Sequence, residues 1–239
     1  MSPLARALLA TTVAAACIPI GGLLALLAHR RRRWLDADVR HFMVALGGGV
    51  LVAAVSLVLL PEGMQRVGEP LAIAALFVAG GVACFALERH LGASRRQSPQ
   101  LAATLLDYVP ESLALGGMFA AGAATAPLLA VLIGLQNLPE GFNAYLERVA
   151  SGEHKPRTVL LQMFGLVALG PALAALGWFF LAAHSQVLGA IMIAAAGAIL
   201  YLIFQDIAPM SRMRNHWFPP LGAVCGFGLA LLGQQLIGG

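Results

Sequence analysis

Long apolar runs separated by short polar stretches set the pattern of this chain. The runs fall near 4–28, 41–61, 69–87, 101–121, 125–146, 158–182, 186–209 and 217–237. A helix needs roughly 20 apolar residues to cross a bilayer, and each run is close to that length. The runs are continuous rather than alternating with period 2, which argues against a transmembrane β-barrel. Backbone groups inside lipid must bond within their own segment, so the runs are predicted to be helices. The longest connections, 29–40, 88–100 and 147–157, leave no room for a separate soluble domain. The expected architecture is a single all-α polytopic unit, 1–239, with eight transmembrane helices.

Composition excludes the other broad classes. Of 239 residues, 59% are hydrophobic and 11% charged, with a mean hydropathy of +0.83. A soluble domain carries about 25% charged residues. Disorder needs the opposite balance. The 3 Cys (Cys17, Cys84 and Cys225) lie in three different runs and read as small apolar residues, not as a disulfide framework. Ala14-Ala15-Ala16-Cys17 faintly resembles a lipoprotein cleavage site. The apolar run continues past it, however, and the arginines follow rather than precede it, so an uncleaved first span is expected.

Charge then orients the spans. Apart from Arg6 and Arg66, every Lys and Arg falls in loops 29–40, 88–100 and 147–157 or in the turn after the seventh run. All of these loops lie on one side of an eight-span topology. By the positive-inside rule that side is the cytoplasm, and both termini face out. The pI of about 9.4 therefore reflects topology and lipid headgroups. No nucleic-acid-binding module accompanies it.

Three acidic residues sit where lipid should exclude them. Asp36, Asp38, Glu69, Glu88, Glu147 and Glu153 are in loops or at span ends, and Glu62 and Asp206 lie near the ends of their spans. Asp107, Glu111 and Glu140 lie deeper. An acid at mid-bilayer costs about 2.5–3.5 kcal/mol on insertion scales. The fourth run reads Asp107-Tyr108-Val109-Pro110-Glu111-Ser112 and the fifth Gln136-Asn137-Leu138-Pro139-Glu140-Gly141. The i,i+4 spacing puts Asp107 with Glu111, and Gln136 with Glu140, on one helix face each. Pro110 and Pro139 cannot donate to the carbonyls of Leu106 and Leu135, so a kink and a free carbonyl are expected at each. Two such helices facing each other offer four side-chain oxygens. The clustered carboxylates need a cation or protons to neutralise them. The alternative is polar glue between two helices. Two matched Pro-Glu turns favour a cation pathway.

These motifs resemble the ZIP (Zrt/Irt-like protein) family of divalent metal-ion transporters. Gln136-Asn137-Leu138-Pro139-Glu140-Gly141 is similar to the family's His-Asn-x-Pro-Glu-Gly motif, with Gln in first place. The fourth-span segment matches only at Pro110 and Glu111. Pro61-Glu62 and Gln205-Asp206-Ile207-Ala208-Pro209 echo the family's acidic positions next to Pro in spans two and seven. The resemblance implies a 3+2+3 arrangement with inverted repeats, a homodimer, and a metal site of Asp107, Glu111, Gln136 and Glu140. Asn137, Glu62, Asp206 and Gln205 are accessory or pathway candidates.

The departures from the family pattern are specific. Many members hold a second metal using the second motif residue of spans four and five and a span-six Glu before Pro. Here those positions are Tyr108, Asn137 and Gly170, the last preceding Pro171, so a mononuclear centre is expected. Asp107 stands where the family has His, and no His lies deep in a span. An all-oxygen site tilts preference from Zn²⁺ towards Mn²⁺ or Fe²⁺, although Zn²⁺ and Cd²⁺ can still bind. Loop 88–100 is short and has only His90, so metal sensing there is not expected. Short loops point to a prokaryotic inner membrane. The expected function is transport of a divalent cation towards the cytoplasm, with no bound cofactor other than the transported ion. Two other readings stay open: a non-transporting membrane protein with a degraded site, and an intramembrane metalloenzyme. The latter lacks a His-Glu-x-x-His motif.

Overall fold

The computed structural model describes residues 1–30, 37–95, 99–152, 155–211 and 217–237. Arg31, Arg32, Arg33, Asp36, Arg96, Glu153, Arg212 and Arg214, read above as loop charges, lie outside the described residues, as do His154 and His216. The described residues are almost all helical and include no strand. Its rods are α1 (Pro3–Arg30), α2 (Asp38–Val67), α3 (Pro70–Arg95), α4 (Pro99–Ala120), α5 (Ala126–Ala150), α6 (Pro156–Leu181), α7 (Ser185–Ser211) and α8 (Leu221–Ile237). Five of them, α1, α2, α3, α6 and α7, are long and apolar enough to cross a membrane. α8 is a shorter apolar helix.

Proline marks the starts. Pro3, Pro70, Pro99 and Pro156 are the first residues of their helices, where a missing N–H leaves no intrahelical bond unmade. α2 overruns the end expected at 61. Pro61-Glu62-Gly63 lies inside it, and the helix closes at Gly68, whose φ of 75° suits only glycine. Helix runs unbroken through Pro110 and Pro139. The irregular turns lie elsewhere: Ala54–Leu59 of α2 and Ile203–Ile207 of α7 are π-helical. Each π segment ends two residues before a proline, Pro61 or Pro209. The N–H groups of Leu60 and Ala208 reach back five residues, to Val55 and Ile203. Widening the turn relieves the clash between a proline ring and the preceding turn of carbonyls. α6 is interrupted at Val167 and Ala168, just before Pro171.

α5 is the most enclosed rod. It packs along α1, α2 and α4, and α7 closes on α2, α3 and α4. α2 also pairs with α8, and α4 with α6. Four of these pairs cross backbone to backbone at glycine. A Cβ on Gly21 would strike the carbonyl oxygen of Leu138, and one on Gly141 that of Ile18. The same reciprocal arrangement joins Gly116 to Ala174 and Gly177 to Leu113, Gly80 to Ala194 and Gly197 to Phe77, and Gly49 to Ala223 and Gly226 to Leu46. Close approach of this kind replaces hydrophobic driving force inside lipid.

The central core is Leu51, Leu59, Leu115, Met118, Leu129, Leu132, Leu188 and Met192, contributed by α2, α4, α5 and α7. The outer surface is apolar as well. Val78, Val82 and Phe85 of α3, Phe179 and Phe180 of α6, and Val224, Leu232 and Leu236 of α8 are exposed. A helical bundle whose outer surface is as apolar as its interior is compatible with an integral membrane protein and costly in water.

Candidate metal site

The fold brings the four expected ligands into its interior. Asp107 and Glu111 of α4, and Gln136 and Glu140 of α5, are all buried. Asn137, Ser112 and Asn143 are buried beside them in sequence. A 2.6 Å hydrogen bond from Gln136 Nε2 to Glu111 Oε2 links the two helices. Asp107 and Glu111 lie one turn apart on α4 and Glu140 is buried on the neighbouring α5, so like charges on these acids would be desolvated and would repel. No Lys, Arg or His is buried among the described residues.

Most of the buried atoms at the site without hydrogen-bond partners are acceptor oxygens, and the Tyr108 and Ser112 hydroxyls, which can also donate, are unpartnered beside them. Asp107 Oδ1, Glu111 Oε1, Gln136 Oε1 and Asn137 Oδ1 are buried acceptors with nothing donating to them. Buried polar groups are normally satisfied, so a concentration of orphan oxygens calls for protons or a cation. The donor set therefore fits a hard or borderline divalent ion. The residues are not drawn together as a finished chelate. Among the described residues, no three His, Cys, Asp or Glu side chains gather tightly enough to hold a metal ion.

The accessory candidates separate. Asn137 Nδ2 donates to the Ala14 carbonyl at 2.9 Å, which ties α5 to α1 beside the cluster. Glu62 is engaged at the far end of α2. It accepts from Thr125 Oγ1 at 2.5 Å and pairs with Arg66 Nη2 at 3.0 Å, and Arg66 Nη1 also reaches Ser185 Oγ at 3.4 Å. That network joins the end of α2 to the starts of α5 and α7. Gln205 is exposed and lines an outward groove between α3 and α7 with Phe77, Tyr201 and Phe204. Asp206 is half-buried in the π turn of α7. Glu88 is buried and accepts from Tyr201 Oη at 3.1 Å, joining α3 to α7.

Tyr108 and Gly170 meet. A Cβ on Gly170 would strike the Tyr108 hydroxyl and would also lie 3.1 Å from the Thr11 carbonyl. A phenol from α4 thus fills the space that a side chain at 170 would take. Gly170→Ala is expected to destabilise the protein by about 1–3 kcal/mol through overpacking. Tyr108→Phe, which removes the obstructing oxygen, should recover part of that loss. Thermal unfolding of the two single variants and the double variant measures the coupling.

One residue at the site was missed from the sequence. Asn143 lies one turn beyond Glu140, and Gln136, Glu140 and Asn143 follow the i, i+4, i+7 spacing of one helix face. That spacing was the available signal. A narrow cleft of about 10 Å³ is lined by Met43, Val44, Gly47 and Gly48 of α2, Ile207 of α7, and Glu140 and Asn143 of α5. Gly47 makes room for it by letting α2 approach the Pro139 ring, 3.2 Å from where its Cβ would be.

No protein-family model matches the chain, and no curated protein matches it significantly.

Proposed function

We propose that the protein is a ZIP-like transporter carrying a divalent cation, of the Zn, Mn, Fe or Cd type, towards the cytoplasm between α4 and α5. The observation that carries this reading is the buried cluster of Asp107, Glu111, Gln136 and Glu140, with an orphan oxygen on each of the first three and no buried base among the described residues. Inert glue between helices would leave its groups satisfied.

The eight-span, 3+2+3 form of the fold belongs to the same proposal, with α1–α3 repeated in inverted sense by α6–α8 around the α4–α5 pair. Its support is the packing. Exchanging α1 with α6, α2 with α7, α3 with α8 and α4 with α5 turns each glycine crossing into another. Gly49 and Pro61 of α2 are spaced along the chain as Gly197 and Pro209 of α7 are, and a π turn precedes each of these prolines. Inverted repeats with a site at the bilayer midplane are a general transporter design. The basic loops support an orientation with both termini outside, and the short loops support a prokaryotic inner membrane. The α4–α5 pair would move against the flanking bundle to alternate access.

The competing reading, a membrane protein that keeps this fold without transporting, is favoured by one observation: no three acidic, Cys or His groups gather tightly among the described residues. Uptake by purified protein in proteoliposomes separates the two, comparing Mn²⁺, Fe²⁺, Zn²⁺ and Cd²⁺. Transport should favour Mn²⁺ or Fe²⁺ over Zn²⁺, because the donors are oxygens. It should strengthen as pH rises, since protons compete with the ion for the carboxylates. Absence of uptake for all four ions would leave the non-transporting reading.

A further inference from the structure

The geometry points to Asn143 as a further cation ligand, forming with Glu140 and the Met43 thioether a relay position on the basic side of the carboxylate cluster. This rests on the transport reading and adds to it the step by which the ion leaves.

Three observations converge on Asn143. It is 1% exposed, and its Oδ1 has no partner. Its Nδ2 donates to the Pro139 carbonyl at 2.8 Å. That bond fixes the amide orientation, because the flipped rotamer would set oxygen against oxygen. The free oxygen is thus held in place, and the residue lines the cleft that also contains Glu140 and Met43. The position of the cleft along the helices gives its direction. Met43 to Gly48 lie in the first half of α2, Asn143 in the last third of α5 and Ile207 near the end of α7. These are the helix ends next to Arg40, Arg148 and the basic loops, the cytoplasmic side by charge. An ion leaving Glu111 for that side meets Glu140, then Asn143.

The ligands explain the use of an amide. A third carboxylate beyond Glu140 would hold the ion and slow its release. A neutral oxygen and a thioether bind weakly enough to pass it on, while still replacing part of its hydration shell.

The test uses the full chain in proteoliposomes, with initial uptake of Mn²⁺ and Cd²⁺, and equilibrium dialysis of the same ions against the protein in detergent. Asn143→Leu keeps the branched side-chain skeleton and removes the oxygen. It is expected to lower initial uptake about tenfold while dialysis still finds the ion on the carboxylates. Asn143→Asp keeps an oxygen and adds charge, so it should bind more tightly in dialysis and release more slowly. Asn143→Ala serves in place of the Leu variant if that variant does not fold, as judged by thermal unfolding. Uptake by the Leu or Ala variant within about twofold of wild type, with Glu140→Gln inactive, overturns the relay and leaves the transport reading standing. Wild-type protein that neither binds nor moves either ion overturns both.

Discussion

Glu111→Gln is expected to abolish metal uptake and to raise the thermal stability of the metal-free protein. The two effects have one cause. Glu111 is fully buried one helical turn from the acid Asp107, so its charge is desolvated and repelled until an ion arrives. Glutamine has the same shape, and its carbonyl oxygen can still accept the bond from Gln136 Nε2 that spans the two helices. The repulsion therefore disappears while the packing stays. What is lost is the negative charge facing the cation. Removing one partner of a buried charge pair costs about 3–5 kcal/mol, a loss of more than a hundredfold in affinity or rate. Uptake in proteoliposomes and melting with and without Mn²⁺ make the comparison. Wild type should gain stability on adding metal, and the variant should not. A variant that transports normally would remove Glu111 from the pathway.

The second large effect concerns packing. Gly141→Val is expected to destabilise the protein by about 3 kcal/mol and to abolish uptake. Gly141 directly follows Glu140, and any Cβ there would meet the Ile18 carbonyl of α1. The obstacle is backbone, which cannot rotate away, so α1 and α5 must separate. Separation would pull Asn137 from the Ala14 carbonyl and shift the helix that carries Gln136 and Glu140. Gly165→Ala and Gly228→Ala are the controls. Nothing lies within 4 Å of a Cβ at either position, and alanine is the better helix former. Both should unfold within about 1 kcal/mol of wild type, or slightly above it. Thermal unfolding of the detergent-solubilised variants reads the difference.

Much of this was legible in the order of residues. A 20-residue apolar run has one solution in lipid, so the helices over 4–28, 69–87 and 186–209 followed from hydropathy alone. The acid positions followed from the same logic, because a carboxylate in an apolar run stands out against its neighbours. Asp107, Glu111, Gln136 and Glu140 were therefore identified from spacing, and the fold buries all four. Element ends were less legible. Pro61-Glu62 read as the end of a span because proline stops helices, yet a π turn upstream lets α2 continue to Val67. Hydropathy also gives less warning where a helix is wrapped by others. α5 carries Gln136, Asn137, Glu140 and Asn143 and is not among the five strongly apolar helices, although it is the most enclosed.

The sequence by itself determined that this protein is a bundle of apolar helices with acids in the fourth and fifth runs, because both follow from the cost of placing each residue type in lipid. Only the tertiary structure decided which oxygens face one another and which are already engaged. Glu62 is held by Thr125 and Arg66, Gln205 faces outward, Tyr108 rests on Gly170, and Asn143 offers an oxygen beside Glu140. Those outcomes depend on where glycines let two backbones touch, and that contact between distant segments has no trace in the local pattern of either one.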